Sequence, residues 1–163
     1  MMHSVASSHA SRSRGLHNTP EASDAAQDRA PVSPAASLGP TILIIEDEPA
    51  IARALERLLI RDGYQVEVTT NGQEALTACK RQAYTQILCD LWLPILDGQG
   101  FYQALSRCQP QLCERVIFVT GDTFTPAFQA FVEHTRAPVL TKPFTAEHLR
   151  TLLTKRCPRG KPT

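Results

Sequence analysis

The stretch Cys89-Asp90-Leu91-Trp92-Leu93-Pro94-Ile95-Leu96-Asp97-Gly98 ends an apolar run in a single carboxylate and then breaks, because Pro94 and Asp97-Gly98 are turn signals. Taken alone, Asp90 is a strand end before a turn. Three other places repeat the pattern of an apolar run closing on groups that can do chemistry. Thr41-Ile42-Leu43-Ile44-Ile45 closes on Glu46-Asp47-Glu48, Arg115-Val116-Ile117-Phe118-Val119 on Thr120-Gly121-Asp122, and Pro138-Val139-Leu140 on Thr141-Lys142-Pro143-Phe144. Carboxylates gathered from such ends repel unless a cation sits between them. Hard oxygen ligands with no histidine or cysteine nearby favour Mg²⁺, or Mn²⁺, over zinc or copper. A threonine hydroxyl and a lysine ammonium across the cluster suit a phosphoryl group, which an aspartate could carry covalently as an acyl phosphate. On that reading Asp90 sits at a strand tip because the attacking oxygen must project from a rigid element into the crevice.

Elements able to gather these ends are legible around them. Thr41 to Ile45 is short, β-branched and wholly apolar, as suits a strand buried on both faces. A helix opens at Glu48-Pro49, carries the stripe Ile51, Leu55, Leu58 and Leu59, and stops at Asp62-Gly63. Tyr64 to Thr69 reads as a strand, and Asn71-Gly72 starts a helix reaching about Arg81 with Ala75, Leu76 and Cys79 inward. After the strand 86–89, Phe101, Leu105 and Cys108 stripe the next helix, and 115–119 is a further strand. Pro126 begins a helix anchored by Phe128, Phe131 and Val132. A brief strand 138–140 precedes a last helix over about 145–155. Five alternations of strand and helix predict an α/β fold, a doubly wound parallel sheet with helices on both faces. In such sheets ligands bind at the carboxyl ends of the strands, near the point where strand order reverses.

Bulk properties exclude several classes. The 163 residues carry 17 basic and 16 acidic side chains, a formal charge of +1, so no global field argues for nucleic acid or a membrane surface. No apolar run approaches the length of a membrane span. Five cysteines (79, 89, 108, 113 and 157) form no CxxC pair and no zinc-spaced cluster, which predicts reduced thiols in a cytoplasmic setting. Residues 1–40 differ in kind: half of them are Ser, Ala or Pro, with no Ile, Phe, Tyr or Trp. Such a segment cannot bury enough apolar surface to offset its ordering entropy and reads as a disordered leader. The boundaries expected are a leader over 1–40, one domain over 41–155 and a short basic tail over 156–163, which leaves no room for an output domain after the last helix.

Glu46-Asp47 after the first strand, Asp90-Leu91-Trp92-Leu93-Pro94 with Asp97-Gly98, Thr120-Gly121, and Lys142-Pro143-Phe144 together resemble the receiver domain of two-component response regulators over about 41–155. The resemblance implies a flavodoxin-like strand order 2-1-3-4-5. It implies Asp90 as phosphoacceptor, and a Mg²⁺ site (Mn²⁺ also possible) made by Glu46, Asp47, Asp90 and the backbone carbonyl of Trp92. It also implies Thr120 binding a phosphoryl oxygen, Lys142 pairing with phosphate, and Pro143 following a cis peptide bond. The phosphodonor implied is a histidine kinase or a histidine phosphotransfer protein, the output partner being unnamed. The chain is then a signalling phosphoacceptor rather than an enzyme, with intrinsic self-phosphorylation and aspartyl-phosphate hydrolysis. Three features depart from the pattern. Val139 stands where the family usually has an aromatic residue, Trp92 is bulky two positions past the acceptor, and Asp122 adds a negative charge to the rim.

Two functions of different class follow. One is a stand-alone phosphorelay receiver acting through protein–protein contact or onward transfer. The other is a binding module of the same fold that works without phosphorylation, which Val139 favours and the intact set Asp47, Asp90, Thr120 and Lys142 opposes. A phosphatase with an aspartyl nucleophile after the first strand is disfavoured, since Glu46-Asp47-Glu48 lacks the second aspartate two residues on. No GxGxxG or GxxxxGK[ST] motif points to a nucleotide fold. Glu46 could simply face solvent, and Glu48 reads as a first-turn helix charge. His134 and His148 read as ordinary helix residues, and Trp92 as a hydrophobic contact or a modulator.

Overall fold

The computed structural model describes residues 39–121 and 125–156; the leader up to residue 38, Asp122 and the tail from Cys157 lie outside them. Five strands, β1 (Thr41–Ile45), β2 (Gln65–Thr69), β3 (Gln86–Asp90), β4 (Val116–Thr120) and β5 (Val139–Thr141), alternate with α1 (Pro49–Arg61), α2 (Gly72–Arg81), α3 (Gly98–Cys108), α4 (Pro110–Cys113), α5 (Pro126–Thr135) and α6 (Ala146–Arg156). The strands are all parallel and lie in the order β2-β1-β3-β4-β5, the flavodoxin-like arrangement expected. β1 pairs with β2 on one side and β3 on the other, so the reversal of strand order falls between β1 and β3. A crevice must open there, because the connections leaving the two strands diverge to opposite faces of the sheet.

Residue parity divides the core in two. Leu43, Ile45, Ile87, Cys89, Val116 and Phe118 face α2, α3 and α5, whose Ala75, Cys79, Phe101, Leu105 and Phe128 cover them. Ile42, Ile44, Leu88, Ile117 and Val119 face α1 and α6, through Leu55, Leu59, Leu149 and Leu153. Continuous apolar runs in β1, β3 and β4 are thus required, since each central strand is covered on both sides. Under α5, Phe118 meets Phe131 and Phe128 edge-on at ring separations of 5.6 and 6.1 Å, and Tyr102 of α3 closes the group. The stripe read for α1 holds: Leu55 and Leu59 are buried, while Ile51 and Leu58 are half-buried. α1 stops where Gly63 takes φ +88°, a left-handed value that suits glycine at a helix end.

Two expectations are corrected. Cys108 does not belong to the inward stripe of α3; it is exposed. Pro110 starts the one-turn helix α4, whose Leu112 is buried in the same core cluster as Leu105. The thiols of Cys108 and Cys113 are free. β4 and β5 also start one residue later than read, because Arg115 and Pro138 only lend carbonyls to the neighbouring strands.

One brace has no counterpart in the motifs. Tyr84, fully buried, donates its hydroxyl to Glu67 at 2.6 Å, and Gln82 donates to both while Arg81 pairs with the same carboxylate. Burial, then the bond to Glu67, pushes the Tyr84 phenol up to about 12 from 10.0, and the same bond holds Glu67 below its ordinary value. The tyrosine contribution is therefore full below pH 10 and lost as pH rises towards 12, whereas that of Glu67 is lost as pH falls through its lowered pKa. Tyr84→Phe is expected to lower stability by about 1–2 kcal/mol. It should also remove the loss of stability between pH 10 and 12 seen in wild-type denaturant melts.

Candidate functional site

The crevice is floored by the ends of β1, β3, β4 and β5. Glu46 continues the β1 ladder by donating its backbone N–H to Thr69 at 3.0 Å, which holds the residue in line and buried. Asp90 is the last residue of β3 and only 8% exposed. Leu91 N–H donates to Val119 and Gly98 N–H returns to Leu91, so the chain folds back immediately behind the carboxylate. Gly98 is required there, because a Cβ at this position would lie 2.4 Å from the Asp90 carbonyl oxygen. Asp97 caps α3 by accepting from Gly100 N–H at 2.7 Å, which fixes the far side of the same loop.

Lys142 joins the pieces. Its Nζ donates to Asp90 Oδ2 at 2.6 Å and to Glu46 Oε2 at 2.8 Å, although the three residues are far apart in sequence. The backbone places it, since Lys142 N–H donates to Thr120 at 2.6 Å. The Lys142–Pro143 peptide is cis. Burial raises the Glu46 pKa against the opposing hydrogen bond from Lys142, and the nearby Asp90 charge raises it further. Burial alone would lower the Lys142 ammonium, but its bonds to Asp90 and Glu46 together outweigh this and leave it raised.

Oxygen atoms of Glu46, Asp47 and Asp90 all lie within 4.8 Å of one another, with Asp47 exposed and the other two buried. Three carboxylates against one ammonium leave a formal charge of −2, which a divalent cation balances. The donor set contains only oxygen, which fits Mg²⁺ or Mn²⁺. Glu46 is thus not a solvent-facing acid. Thr120 is fully buried at the end of β4 and donates its hydroxyl to Gly121 at 3.2 Å, beside the Asp90–Lys142 pair. Trp92 enters through its backbone, the N–H donating to Asp90 Oδ1 at 3.1 Å, while its indole is 60% exposed. Val139 is half-buried and packs on the same apolar group as Phe118.

Two features were not read from the sequence. Ile95 takes φ +67° and is 83% exposed, within a turn closed by Leu96 N–H to Pro94 at 2.7 Å. A β-branched residue is strained in this left-handed region. Ile95→Asn is expected to raise stability by about 1 kcal/mol, since asparagine tolerates that conformation and almost no buried area is lost. Thermal melts check this, and an unchanged or lower midpoint would contradict it. The second feature is a groove of about 730 Å³ beside Lys142, lined by Ile51, Ala54 and Leu58 of α1 and by Pro143 and Phe144.

The family model of the response regulator receiver domain matches residues 42–154. The chain belongs to that family, whose members are signalling phosphoacceptors phosphorylated by histidine kinases and binding Mg²⁺ in the active site. Among curated relatives, it is 31% identical over 113 residues to the tetrathionate response regulatory protein TtrR of Salmonella typhimurium, covering 69% of this chain and 54% of that protein. It is 35% identical over 108 residues to the uncharacterised transcriptional regulatory protein YkoG of Bacillus subtilis, covering 66% of this chain and 46% of that one. The chain therefore spans about half the length of these relatives. Among solved structures, the signal receiver domain of a signal transduction histidine kinase from Syntrophus aciditrophicus matches with a TM-score of 0.67 and 29% identity, covering 77% of this chain and 95% of that one. The receiver domain of the sensor histidine kinase PA1611 of Pseudomonas aeruginosa, with a magnesium ion coordinated in its active site cleft, matches with a TM-score of 0.60 and 30% identity, covering 72% and 97%. Among the described residues, no helix is long and apolar enough to cross a membrane.

Proposed function

We propose that Asp90 accepts a phosphoryl group from a phosphohistidine on a histidine kinase or histidine phosphotransfer protein. The modified chain then signals through a protein partner or passes the group onward. One observation carries this reading: Lys142 Nζ reaches both Asp90 and Glu46 at the single place where the sheet reverses its strand order. An Asp90 oxygen attacks phosphorus as the phosphorus–nitrogen bond breaks, and the electron pair leaves with the imidazole, which takes a proton from solvent. Glu46, Asp47, Asp90 and the Trp92 carbonyl would hold Mg²⁺. When bound, the ion supplies positive charge that neutralises the phosphoryl oxygens. Lys142 turns from the carboxylates towards the incoming phosphoryl oxygens, and the Thr120 hydroxyl exchanges its bond to Gly121 for one of them. Slow hydrolysis of the acyl phosphate then resets the domain.

Trp92 is the only tryptophan, and its N–H contacts Asp90. Titration with Mg²⁺ and then with beryllofluoride, a phosphoryl mimic, is expected to change its emission in wild type, the beryllofluoride response being lost in Asp90→Ala. Emission that ignores both additions would remove the reading. A phosphorylation-independent module is the second reading, favoured by Val139 at the position where the family usually has an aromatic residue. It requires that partner binding be the same for wild type and Asp90→Asn after treatment with a small acyl phosphate.

A further inference from the structure

The sheet is open at one corner, at the amino ends of the strands. β4 begins at Val116, but its pairing with β5 begins only at Phe118 and Val139, and Pro138 has no N–H to offer the Val116 carbonyl. The turns entering these two strands line a cavity of about 610 Å³, within the range of about 300–1,000 Å³ usual for small-molecule sites. Its wall carries two cations, Arg115 and Arg136, against one acid, Glu114, which makes a formal charge of +1. Arg115 is half-buried and anchored, one guanidinium nitrogen donating to the Tyr84 carbonyl at 2.6 Å, which leaves its other N–H groups for a further acceptor. Arg136 is exposed and follows α5 in the left-handed region at φ +54°. Gln86 also lines the cavity; it is 2% exposed, and its carboxamide oxygen has no hydrogen-bond partner. Tyr102 forms an aromatic wall, its ring held against Phe118 and Phe131 at 5.7 and 5.5 Å.

We propose that this cavity binds a small organic acid, its carboxylate held between Arg115 and Arg136 and a hydroxyl or amino group on its body donating to Gln86. A planar guanidinium already fixed by one bond loses little freedom when it takes a carboxylate on its remaining donors. A buried acceptor without a donor is unfavourable, and a ligand hydroxyl or amine relieves it. Sulfate has no such donor and no apolar body to lie against Tyr102, so an organic acid is favoured over an inorganic anion. The site is separate from the chemistry at Asp90. Gln86 opens β3 and Asp90 closes it, four residues and about 13 Å further along the strand. The proposal therefore stands independently of the phosphoacceptor reading.

Cys113, in the wall of the cavity, provides the readout. Burial raises its thiol above the ordinary value, so iodoacetamide modifies it slowly, whereas Cys108 is exposed. The full chain is given a short pulse of iodoacetamide, digested, and the two cysteines are read separately by mass spectrometry. Millimolar 4-hydroxybenzoate or 3-phenyllactate is expected to slow labelling of Cys113 by at least about fivefold and to leave Cys108 unchanged, since protection rises as 1 + [L]/Kd. Their primary amides should not protect, because they lack the charge that the two arginines hold. Arg136→Asn should abolish protection with an unaltered melting temperature, asparagine being at ease in the left-handed conformation. Calorimetric titration should rank the acids and amides in the same order. Acids that neither protect Cys113 nor bind in the calorimeter, or amides or sulfate that protect as well as the acids, would overturn the proposal. So would labelling that slows equally at Cys108, or an Arg136→Asn variant that keeps the wild-type protection.

Discussion

Asp90→Asn is expected to abolish incorporation of a phosphoryl group from acetyl phosphate or a phosphohistidine donor, with no detectable acid-stable, base-labile label. The amide keeps the shape of the side chain but lacks the anionic oxygen needed to attack phosphorus. It also removes one of the three carboxylates that approach within 4.8 Å, so affinity for Mg²⁺ should fall by at least about tenfold. The fold should survive, because Lys142 retains Glu46 as a partner at 2.8 Å and the β3 ladder does not depend on the side chain. Thermal melts in chelator are expected to differ from wild type by less than about 4 °C. A variant that folds, binds Mg²⁺ and still takes up label would place the acceptor elsewhere.

Lys142→Met is expected to move two properties in opposite directions. With the ammonium gone, Glu46 and Asp90 keep their charges in a buried crevice with no counterion, each having lost a hydrogen bond of 2.8 or 2.6 Å. Breaking a buried ion pair by removing one member costs about 3–5 kcal/mol, and stability in chelator should fall by about that much. The formal charge of the site changes from −2 to −3, so the variant should bind Mg²⁺ at least about tenfold more tightly and regain more stability from it than wild type does. Phosphoryl uptake should nevertheless drop by about 10²–10³, since the positive charge facing the phosphoryl oxygens is absent. Isothermal titration, chemical denaturation and labelling rates separate the three effects. Weaker Mg²⁺ binding in this variant would mean that Lys142 orders the carboxylates rather than neutralising them.

The strand ends were legible because the chemistry sits on the backbone pattern itself. Glu46, Asp90, Thr120 and Lys142 each follow an apolar run that must be a central or neighbouring strand, and a parallel sheet brings such ends together whatever lies between them. The order 2-1-3-4-5, by contrast, came from resemblance, since alternation of strand and helix does not say which strands are neighbours. Details that depend on how side chains meet across the fold escaped. Cys108 has helical spacing with Leu105 and was read as inward, but it is exposed, while Leu112 of the one-turn helix that Pro110 opens is buried. Tyr84 reaches Glu67 on a strand 17 residues earlier, and no local pattern announces the contact. Trp92 was placed beside the site, and its backbone is there while its ring stands out in solvent.

Mapping the modified residue tests the account most directly. The chain is treated with acetyl phosphate in Mg²⁺ or in chelator, reduced with borohydride to trap any acyl phosphate as homoserine, digested and read by mass spectrometry. The account predicts conversion at Asp90 alone, present with Mg²⁺ and absent with chelator. Conversion at Asp47 or another carboxylate, or conversion at Asp90 that proceeds equally without a divalent cation, would contradict it.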